Sequence, residues 1–396
     1  MTSRFVLAVS MAVALGLSAG SAAAASFTLD VVTGPALSGT SGVAMSRIRI
    51  VGPIEEGDDR RLAEILARVT RSDGPDQKGR RIVAELSSSG GDVYAALKMG
   101  YLFKKFNVAT LVRARDLCLS ACALAFLGGT ASHLPYHYMP DRSIEIGGQV
   151  AFHNFFINRN SPSLSRATDA SSGLVLGFAL ARGGSSLLVG YATAMSLDSG
   201  FIARLLARPP EVWEYVDVAG QFVDLMSCAR GIERPQFSPT TLATNICNQA
   251  TGEYSLDQGA SEVRQLTERE AKRSLLNYVS ANIESLGLQG LLARQLAVLA
   301  ASGSRDDGKV DTIYDDLRRA GVALPEIVGP TFEVTGYTTG DYKMQCFVSY
   351  SMQDADRYEV AIQGPDGLSK ALRTAPQQCG RLFMFDRDYM LNPQRK

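Results

Sequence analysis

Residues 81–92 have the sequence RIVAELSSSGGD, and they predict the fold of the first half of the chain. Residues 81–86 are typical of a buried strand, and the small residues 87–91 are typical of a tight loop. Asp92 is suited to cap a helix whose apolar face begins at Val93. A strand that ends in two glycines and continues as a helix is a unit of parallel α/β sheets.

The neighbouring segments repeat this alternation. Residues 47–51 alternate like a strand, and the apolar residues of 62–69 fall on one helical face. Further along, 108–112 predict a third strand, 121–127 a short buried helix and 144–153 another strand. We therefore expect an α/β fold in which helices flank a parallel sheet.

The rest of the chain predicts a different organisation. The apolar stretch 173–195 contains Arg182 near its middle, which favours a buried or interface helix over a membrane span. The other expected segments are a mobile polar loop at 158–172, helices at 200–207, 210–215, 262–299 and 310–320, a loop-rich stretch at 226–261, and strands at 332–337, 342–350 and 358–362.

The composition is that of a globular protein with balanced charge. The chain has 396 residues, 46% hydrophobic and 20% charged, with 40 basic and 40 acidic side chains. The absence of a basic excess argues against a nucleic-acid partner.

The N-terminus has the pattern of a secretory signal peptide. Arg4 is the only charge before the apolar run 5–17, and small residues follow at 18–25. A membrane anchor needs about 20 apolar residues, and this run is shorter. We expect cleavage after Ala25 and a periplasmic or secreted protein.

The cysteines are consistent with export. Six cysteines allow several pairings, and in an oxidising compartment we predict that near neighbours pair, Cys228 with Cys247 and Cys346 with Cys379.

The remaining two cysteines, Cys118 and Cys122, are four positions apart. A disulfide between them would need an irregular turn, because two cysteines at this spacing on a regular helix meet only with strain. Zinc is the alternative, but no C-x-x-C pair or histidine lies at ligand spacing. We expect neither a metal nor a cofactor.

Three features of the sequence are candidates for a catalytic role. Backbone N–H groups of the loop 87–91 can stabilise an oxyanion, although a plain strand–helix turn has the same sequence pattern. Ser120 precedes an apolar helix, where it is either a nucleophile or an ordinary helix N-cap. His153 ends an apolar strand, where it is either a general base or a core histidine.

As a set, these features resemble the Clp protease proteolytic subunit and its ClpP-like relatives, which have the ClpP/crotonase fold. The matching stretches are LSSSGGD at 86–92, SACA at 120–123 and AFHN at 151–154. The resemblance covers about residues 45–215. It implies that Ser120 is the nucleophile and His153 its base.

The resemblance also implies an oxyanion hole and an orienting acid. The N–H groups of Gly91 and Ala121 would form the oxyanion hole. The family's aspartate lies in a helical segment well after the histidine, but the corresponding stretch 202–208 has no acid. Asp198 is the nearest earlier candidate and Asp217 the nearest later one, and a backbone carbonyl is the alternative orienter of the histidine.

The chain divides accordingly into four predicted parts. These are a signal peptide at 1–25, a ClpP/crotonase-like domain at 26–225, a disulfide-stapled loop and helical region at 226–326, and a small β-rich module at 327–396.

The function implied is that of an exported, ATP-independent serine peptidase. It would cleave short or unfolded peptides through an acyl-enzyme, with no ATPase partner, and it would assemble as a homo-oligomer, with 173–195 as the candidate interface. Three alternatives stay open: a non-catalytic binding or assembly protein of the cell envelope, acyl-CoA chemistry as in crotonases, and a Ser–Lys mechanism using Lys98, Lys104 or Lys105.

Overall fold

The structure is a computed structural model that describes most of the chain after the signal-peptide region. Most of the predicted signal peptide, most of the predicted polar loop and Asp198 lie outside the described residues. The described residues are 24–34, 43–72, 81–134, 137–154, 170–197, 199–232, 238–251, 262–284, 288–302, 307–339, 341–353, 357–364, 367–369 and 379–393.

Strands and helices alternate in the first half, and strands dominate the end of the chain. The strands are β1 Ser26–Gly34, β2 Val43–Val51, β3 Arg81–Ser87, β4 Val108–Val112, β5 Leu117–Leu119, β6 Thr130–Leu134, β7 His137–Pro140, β8 Arg142–Glu145, β9 Gln149–Phe152, β10 Glu214–Tyr215, β11 Ser227–Arg230, β12 Glu262–Leu266, β13 Thr331–Thr339, β14 Tyr342–Tyr350, β15 Tyr358–Gly364 and β16 Gly367–Ser369. The helices are α1 Asp58–Ser72, α2 Val93–Lys105, α3 Ala121–Phe126, α4 Ala170–Ala194, α5 Ser199–Ala207, α6 Ala219–Asp224, α7 Pro239–Thr251, α8 Glu268–Ala281, α9 Gly290–Ser302 and α10 Asp307–Arg319, with a 3₁₀ turn at Gly380–Met384.

The central sheet is rich in parallel pairs. Its order is β1-β2-β3-β4-β8-β11, and every neighbouring pair is parallel except the antiparallel edge pair β1–β2. Residues 82–86 of β3 are all buried, because helices and loops cover both faces of a parallel sheet. The α/β architecture with a parallel-rich sheet agrees with the sequence prediction.

Helix α2 begins where the sequence places it. The Asp92 carboxylate accepts a hydrogen bond from the Ala95 N–H at 2.7 Å, so Asp92 is the predicted N-cap. Ala96 and Phe103 lie on its buried face. This cap fixes the end of the loop 87–91.

A separate three-stranded sheet, in the order β10-β9-β5, carries the candidate site. The single strand predicted at 144–153 was wrong: a turn at residues 146–148, with Gly147 at a φ of 92°, divides it into β8 and β9, which belong to different sheets. The helix predicted at 210–215 was also wrong. That segment is a turn followed by β10, in which Glu214 pairs with Phe152.

The C-terminal part contains a five-stranded sheet with neighbouring helices. Its antiparallel order is β12-β13-β14-β15-β16. Residues 262–266 were predicted as helix but form β12, because pairing with β13 outweighs local propensity. A capping box between Thr267 and Glu270 then begins α8.

Two further elements correct the sequence prediction, and one boundary stays open. The stretch 226–261, predicted as loop-rich, contains β11 and α7. Strand β12 joins the sheet formed otherwise by strands after residue 327. The division into domains stays a prediction.

The predicted disulfides between near neighbours were wrong. The observed bridges are Cys228–Cys379 and Cys247–Cys346. Folding packs α7 against β14 and the 3₁₀ turn, so proximity in space replaces proximity in sequence. The third bridge joins Cys118 to Cys122 across an irregular turn.

Helix α4 covers the apolar stretch predicted at 173–195. Leu187 and Val189 on this helix are exposed, whereas Leu188, Tyr191 and Ala192 are buried. Within the described ranges, no helix combines the length and the hydropathy of a membrane span.

Candidate active site

Ser120 occupies a sharp turn between β5 and α3. Its φ of 55° and ψ of −121° are rare for a residue with a side chain, and such a conformation costs about 1–3 kcal/mol. The Ser120 N–H donates to the Ala151 carbonyl at 2.9 Å, which anchors the turn to β9. Ser120 is the N-cap residue of α3 by position, as predicted, but its side chain makes no helix-capping hydrogen bond. In α/β-hydrolases, a strained strand–helix turn exposes the nucleophilic serine.

The Ser120 hydroxyl is hydrogen-bonded to His153. The distance from Ser120 Oγ to His153 Nε2 is 2.6 Å, and both residues are half-buried. His153 directly follows β9, which pairs in parallel with β5, with Cys118 opposite Val150. The two strands thus carry the hydroxyl and the imidazole to the same end of the small sheet. This is the contact that general-base activation of a serine requires.

A backbone carbonyl sets the tautomer of His153. The other ring nitrogen, Nδ1, lies 3.2 Å from the carbonyl oxygen of Pro210. A carbonyl oxygen only accepts, so Nδ1 carries the proton and donates it. In the neutral ring, Nε2 is then the acceptor for the Ser120 hydroxyl.

The segment that contains Pro210 is itself held in place. The Asn154 amide donates to the carbonyls of Leu206 and Arg208 at 3.1 and 3.3 Å, so the residue after the histidine binds the end of α5. Pro209 and Pro210 then restrict the backbone through their fixed φ. The carbonyl that orients His153 therefore sits on a stiff turn.

The ring of Trp213 packs against the imidazole. The ring centroids of His153 and Trp213 are 4.3 Å apart, with the planes tilted by 40°. Sequence analysis missed Pro210 and Trp213. The available signals were the only tryptophan of the chain and the adjacent proline pair.

The two-glycine loop lies directly beside Ser120. A β-carbon added to Gly90 would lie 2.8 Å from Ser120 Cβ and 3.3 Å from the Ala121 nitrogen. The backbone of the loop pairs with β5, since the Ser88 N–H donates to the Leu117 carbonyl at 2.7 Å.

The amides predicted to form the oxyanion hole have no protein partner in the described part of the chain. The N–H groups of Gly91 and Ala121 make no hydrogen bond there, and Gly91 is exposed. Gly91 has a φ of 138°, and a β-carbon at this position would collide with the Ile54 carbonyl. One of these amides belongs to the two-glycine loop and the other directly follows Ser120 at the start of α3, and neither is paired among the described residues.

The acid candidates lie in different places. Asp198 is outside the described residues. Asp217 follows β10, and its carbonyl accepts from the N–H groups of Leu391 and Asn392 in the C-terminal segment, at 2.9 Å each. Glu214 is buried, and its carboxylate faces Arg204 at 3.8 Å and Arg208 at 3.5 Å.

The lysine candidates point elsewhere. Lys98 lies 3.6 Å from Asp59, and Lys104 donates to the Ala194 carbonyl. Lys105 lies over the ring of Phe106 at 5.5 Å. Ser120 contacts the imidazole of His153 and none of these three ammonium groups. The geometry therefore does not support a Ser–Lys mechanism.

An ion-pair network supports the start of β5. Arg49 binds both carboxylate oxygens of Asp116 at 2.9 Å, and this pair of hydrogen bonds raises the pKa of Arg49. Arg113 joins Glu85 at 2.5 Å to Glu145 at 2.7 Å. Among the described residues, no group of three or more histidine, cysteine or acidic side chains is arranged to hold a metal ion.

Comparison with known proteins gives a weak structural similarity. The structure is similar to that of a ClpP1 mutant from Listeria monocytogenes, at 16% identity over 45% of this chain and 86% of that chain, with a TM-score of 0.30. No protein-family model matches the chain, and no curated protein matches it. What the site does chemically follows from its own geometry.

Proposed function

We propose that this chain is a serine hydrolase of the peptidase type, with Ser120 as the nucleophile and His153 as the base. The 2.6 Å hydrogen bond between the hydroxyl and Nε2 carries the proposal. His153 accepts the hydroxyl proton as Ser120 Oγ attacks the substrate carbonyl, and it returns that proton to the leaving amine. Water then hydrolyses the acyl-enzyme by the same route.

The surrounding groups suit the remaining parts of that reaction. The tetrahedral intermediate carries a negative oxygen, which the N–H groups of Gly91 and Ala121 would stabilise. When His153 becomes an imidazolium, the Pro210 carbonyl keeps its hydrogen bond to Nδ1. A carbonyl dipole stabilises that cation less than a carboxylate does.

The proposed setting is the periplasm or the exterior of the cell. The signal-peptide pattern and the three disulfides support this location, since disulfides persist in oxidising compartments. Substrates there would be short or unfolded peptides, because no ATP-driven unfoldase would deliver folded ones. The exposed Leu187 and Val189 on α4 support a homo-oligomer, which light scattering of the purified protein tests.

Activity-based labelling tests the hydrolase proposal. A fluorophosphonate probe should react with Ser120 as its phosphorus bonds to Oγ and fluoride leaves. Replacing Ser120 by alanine should abolish labelling, and it should reduce peptide hydrolysis by roughly four to six orders of magnitude. The matched control is Ser196→Ala, because Ser196 is an exposed serine that also has a positive φ, of 57°.

The labelling result separates the two main candidates. Labelling of wild type and of Ser196→Ala, but not of Ser120→Ala, supports the hydrolase. A folded wild-type protein that neither reacts with the probe nor hydrolyses peptides would favour a non-catalytic binding or assembly protein.

A further inference from the structure

The Cys118–Cys122 disulfide spans the proposed nucleophile. Cys118 belongs to β5 and Cys122 to the first turn of α3, and Ser120 lies midway between them. The two Cα atoms are 5.1 Å apart. The bridge therefore joins the strand before the turn to the helix after it.

This bridge closes a much shorter loop of the chain than the other two. Cys228–Cys379 and Cys247–Cys346 span 151 and 99 positions, whereas Cys118–Cys122 spans 4. The stabilisation that a disulfide gives by restricting the unfolded chain grows with the length of the loop it closes. A bridge across so short a loop contributes less in that way than the other two do, so we expect its main effect at the turn that it encloses.

The turn at Ser120 needs support on its helical side. On the strand side, hydrogen bonds from Ser120 to Ala151 and from Leu119 to Ser88 hold the backbone, at 2.9 and 3.0 Å. On the other side, α3 has six residues, and a helix of this length is not stable by its own hydrogen bonds. The bridge ties this first turn back to the fixed strand.

Reducing the bond to two thiols would open the turn. Bonded sulfur atoms lie about 2.05 Å apart, whereas non-bonded heavy atoms need roughly 3.5 Å or more. Both cysteines are buried, with exposures of 0% and 1%, in an interior that resists expansion. The added separation would displace β5 or α3, and Ser120 stands between them.

We propose that the Cys118–Cys122 disulfide positions Ser120, and that the site reaches its full rate only after these two thiols are oxidised. This inference rests on the hydrolase function proposed above. In the activating step, the two thiols give two protons and two electrons to a protein disulfide. That oxidant becomes a dithiol, and the bond between the two sulfur atoms forms. A chain that still carries the two thiols, as before export, would react about 10- to 100-fold more slowly.

The test compares two bridge-free variants of the exported chain. Cys118→Ala/Cys122→Ala removes the bridge at the site, and Cys247→Ala/Cys346→Ala removes a distant one as the matched control. The readouts are a crystal structure, the fluorophosphonate labelling rate, and kcat and KM for a peptide substrate. A third variant, Cys118→Val/Cys122→Ala, refills volume in case the first variant does not fold.

We expect the reaction rate to fall without a change in substrate binding. Without the bridge at the site, the labelling rate and kcat should fall about 10- to 100-fold with KM unchanged. The hydrogen bond from Ser120 Oγ to His153 Nε2 should also be broken in the crystal structure. The control variant should melt at a lower temperature yet label at the wild-type rate.

The possible outcomes test the positioning role of the disulfide separately from the proposed hydrolase function. A site variant that labels at the wild-type rate overturns the positioning role and leaves the hydrolase function standing. If wild type itself does not react, the hydrolase proposal fails, and the crystal structures still decide the inference. In that case an unchanged φ at Ser120 and an intact hydrogen bond in the bridge-free variant overturn it.

Discussion

The imidazole of His153 lies against the indole of Trp213, with ring centroids 4.3 Å apart, while its Nδ1 donates to the Pro210 carbonyl. One short segment before β10 therefore supplies both the hydrogen-bond acceptor and the packing surface for the proposed base. In a serine hydrolase of the familiar kind, a carboxylate orients the histidine. Here the described contacts of His153 include a backbone carbonyl at Nδ1 and one aromatic ring.

Loss of the indole should loosen the imidazole. An aromatic ring pair is worth about 0.5–1.5 kcal/mol beyond burial, so Trp213→Ala should slow labelling of Ser120 about three- to tenfold. Trp213→Phe keeps a ring at this position and should retain most of the rate. Tyr342→Ala removes an exposed aromatic far from the site and serves as the control. A Trp213→Ala protein with the wild-type labelling rate would contradict the role of the indole.

Gly90 should tolerate no side chain. A β-carbon there would lie 2.8 Å from Ser120 Cβ and 2.9 Å from the Leu119 carbonyl oxygen, and the φ of Gly90 is 108°. Gly90→Ala should therefore displace Ser120 and lower the labelling rate about 100-fold.

The control for Gly90 is a glycine with free space around it. Gly183 lies within α4, and no atom lies within 4 Å of an added β-carbon. Gly183→Ala should leave labelling unchanged and raise the free energy of unfolding by up to about 1 kcal/mol. Equal labelling rates in the two variants would show that the Gly90 backbone does not fix Ser120.

The sequence predicts the parts of this fold that depend on local pattern. Strands β3 and β4 were predicted because most of their residues are apolar, as in buried parallel strands. Asp92 was predicted as a cap because its side chain precedes an apolar face at helical spacing. The pair Ser120 and His153 was predicted from the family resemblance, and the structure brings the two side chains into contact.

Other parts depend on contacts that a single sequence does not encode locally. The disulfide partners of Cys228 and Cys247 lie 151 and 99 positions away, and folding alone brings them together. The segment 210–215 has apolar spacing compatible with a helix, yet pairing with β9 makes its end a strand. The role of Pro210 depends on its backbone carbonyl, which every residue has, so the proline pair could indicate a stiff turn but not the hydrogen bond to His153.

A buried cation secures the end of α4. Arg142 is fully buried and donates to the carbonyls of Met195 at 2.6 Å and Leu225 at 2.7 Å, and burial lowers its pKa to about 10. Lysine at this position has a single ammonium group and cannot reproduce the planar fork. Arg142→Lys should thus lower the free energy of unfolding by about 1–3 kcal/mol, since a buried carbonyl is left unpaired.

Chemical denaturation measures this effect. Arg319→Lys, at an exposed site on α10, is the matched control and should change stability by less than about 0.5 kcal/mol. Similar midpoints for the two variants would mean that one hydrogen bond from residue 142 is enough to hold both carbonyls in place.

Alkaline pH should weaken the fold through a buried tyrosine. The Tyr191 hydroxyl donates to the Leu124 carbonyl at 2.7 Å, and burial raises its pKa above the ordinary value of 10. Above pH 10 the unfolded chain loses this proton while the folded protein keeps it, so the free energy of unfolding falls as pH rises. Tyr191→Phe should cost about 0.5–1.5 kcal/mol at pH 7, because the Leu124 carbonyl loses one hydrogen bond and keeps the one from the Leu127 N–H at 3.2 Å. In the same variant, the free energy of unfolding should decline less steeply between pH 9.5 and 11 (roughly the range above the unfolded pKa).

Urea titrations at several pH values measure both effects, with the exposed Tyr342→Phe as the control. A slope that is identical in wild type and Tyr191→Phe would mean that Tyr191 ionises in the folded protein as easily as in the unfolded chain.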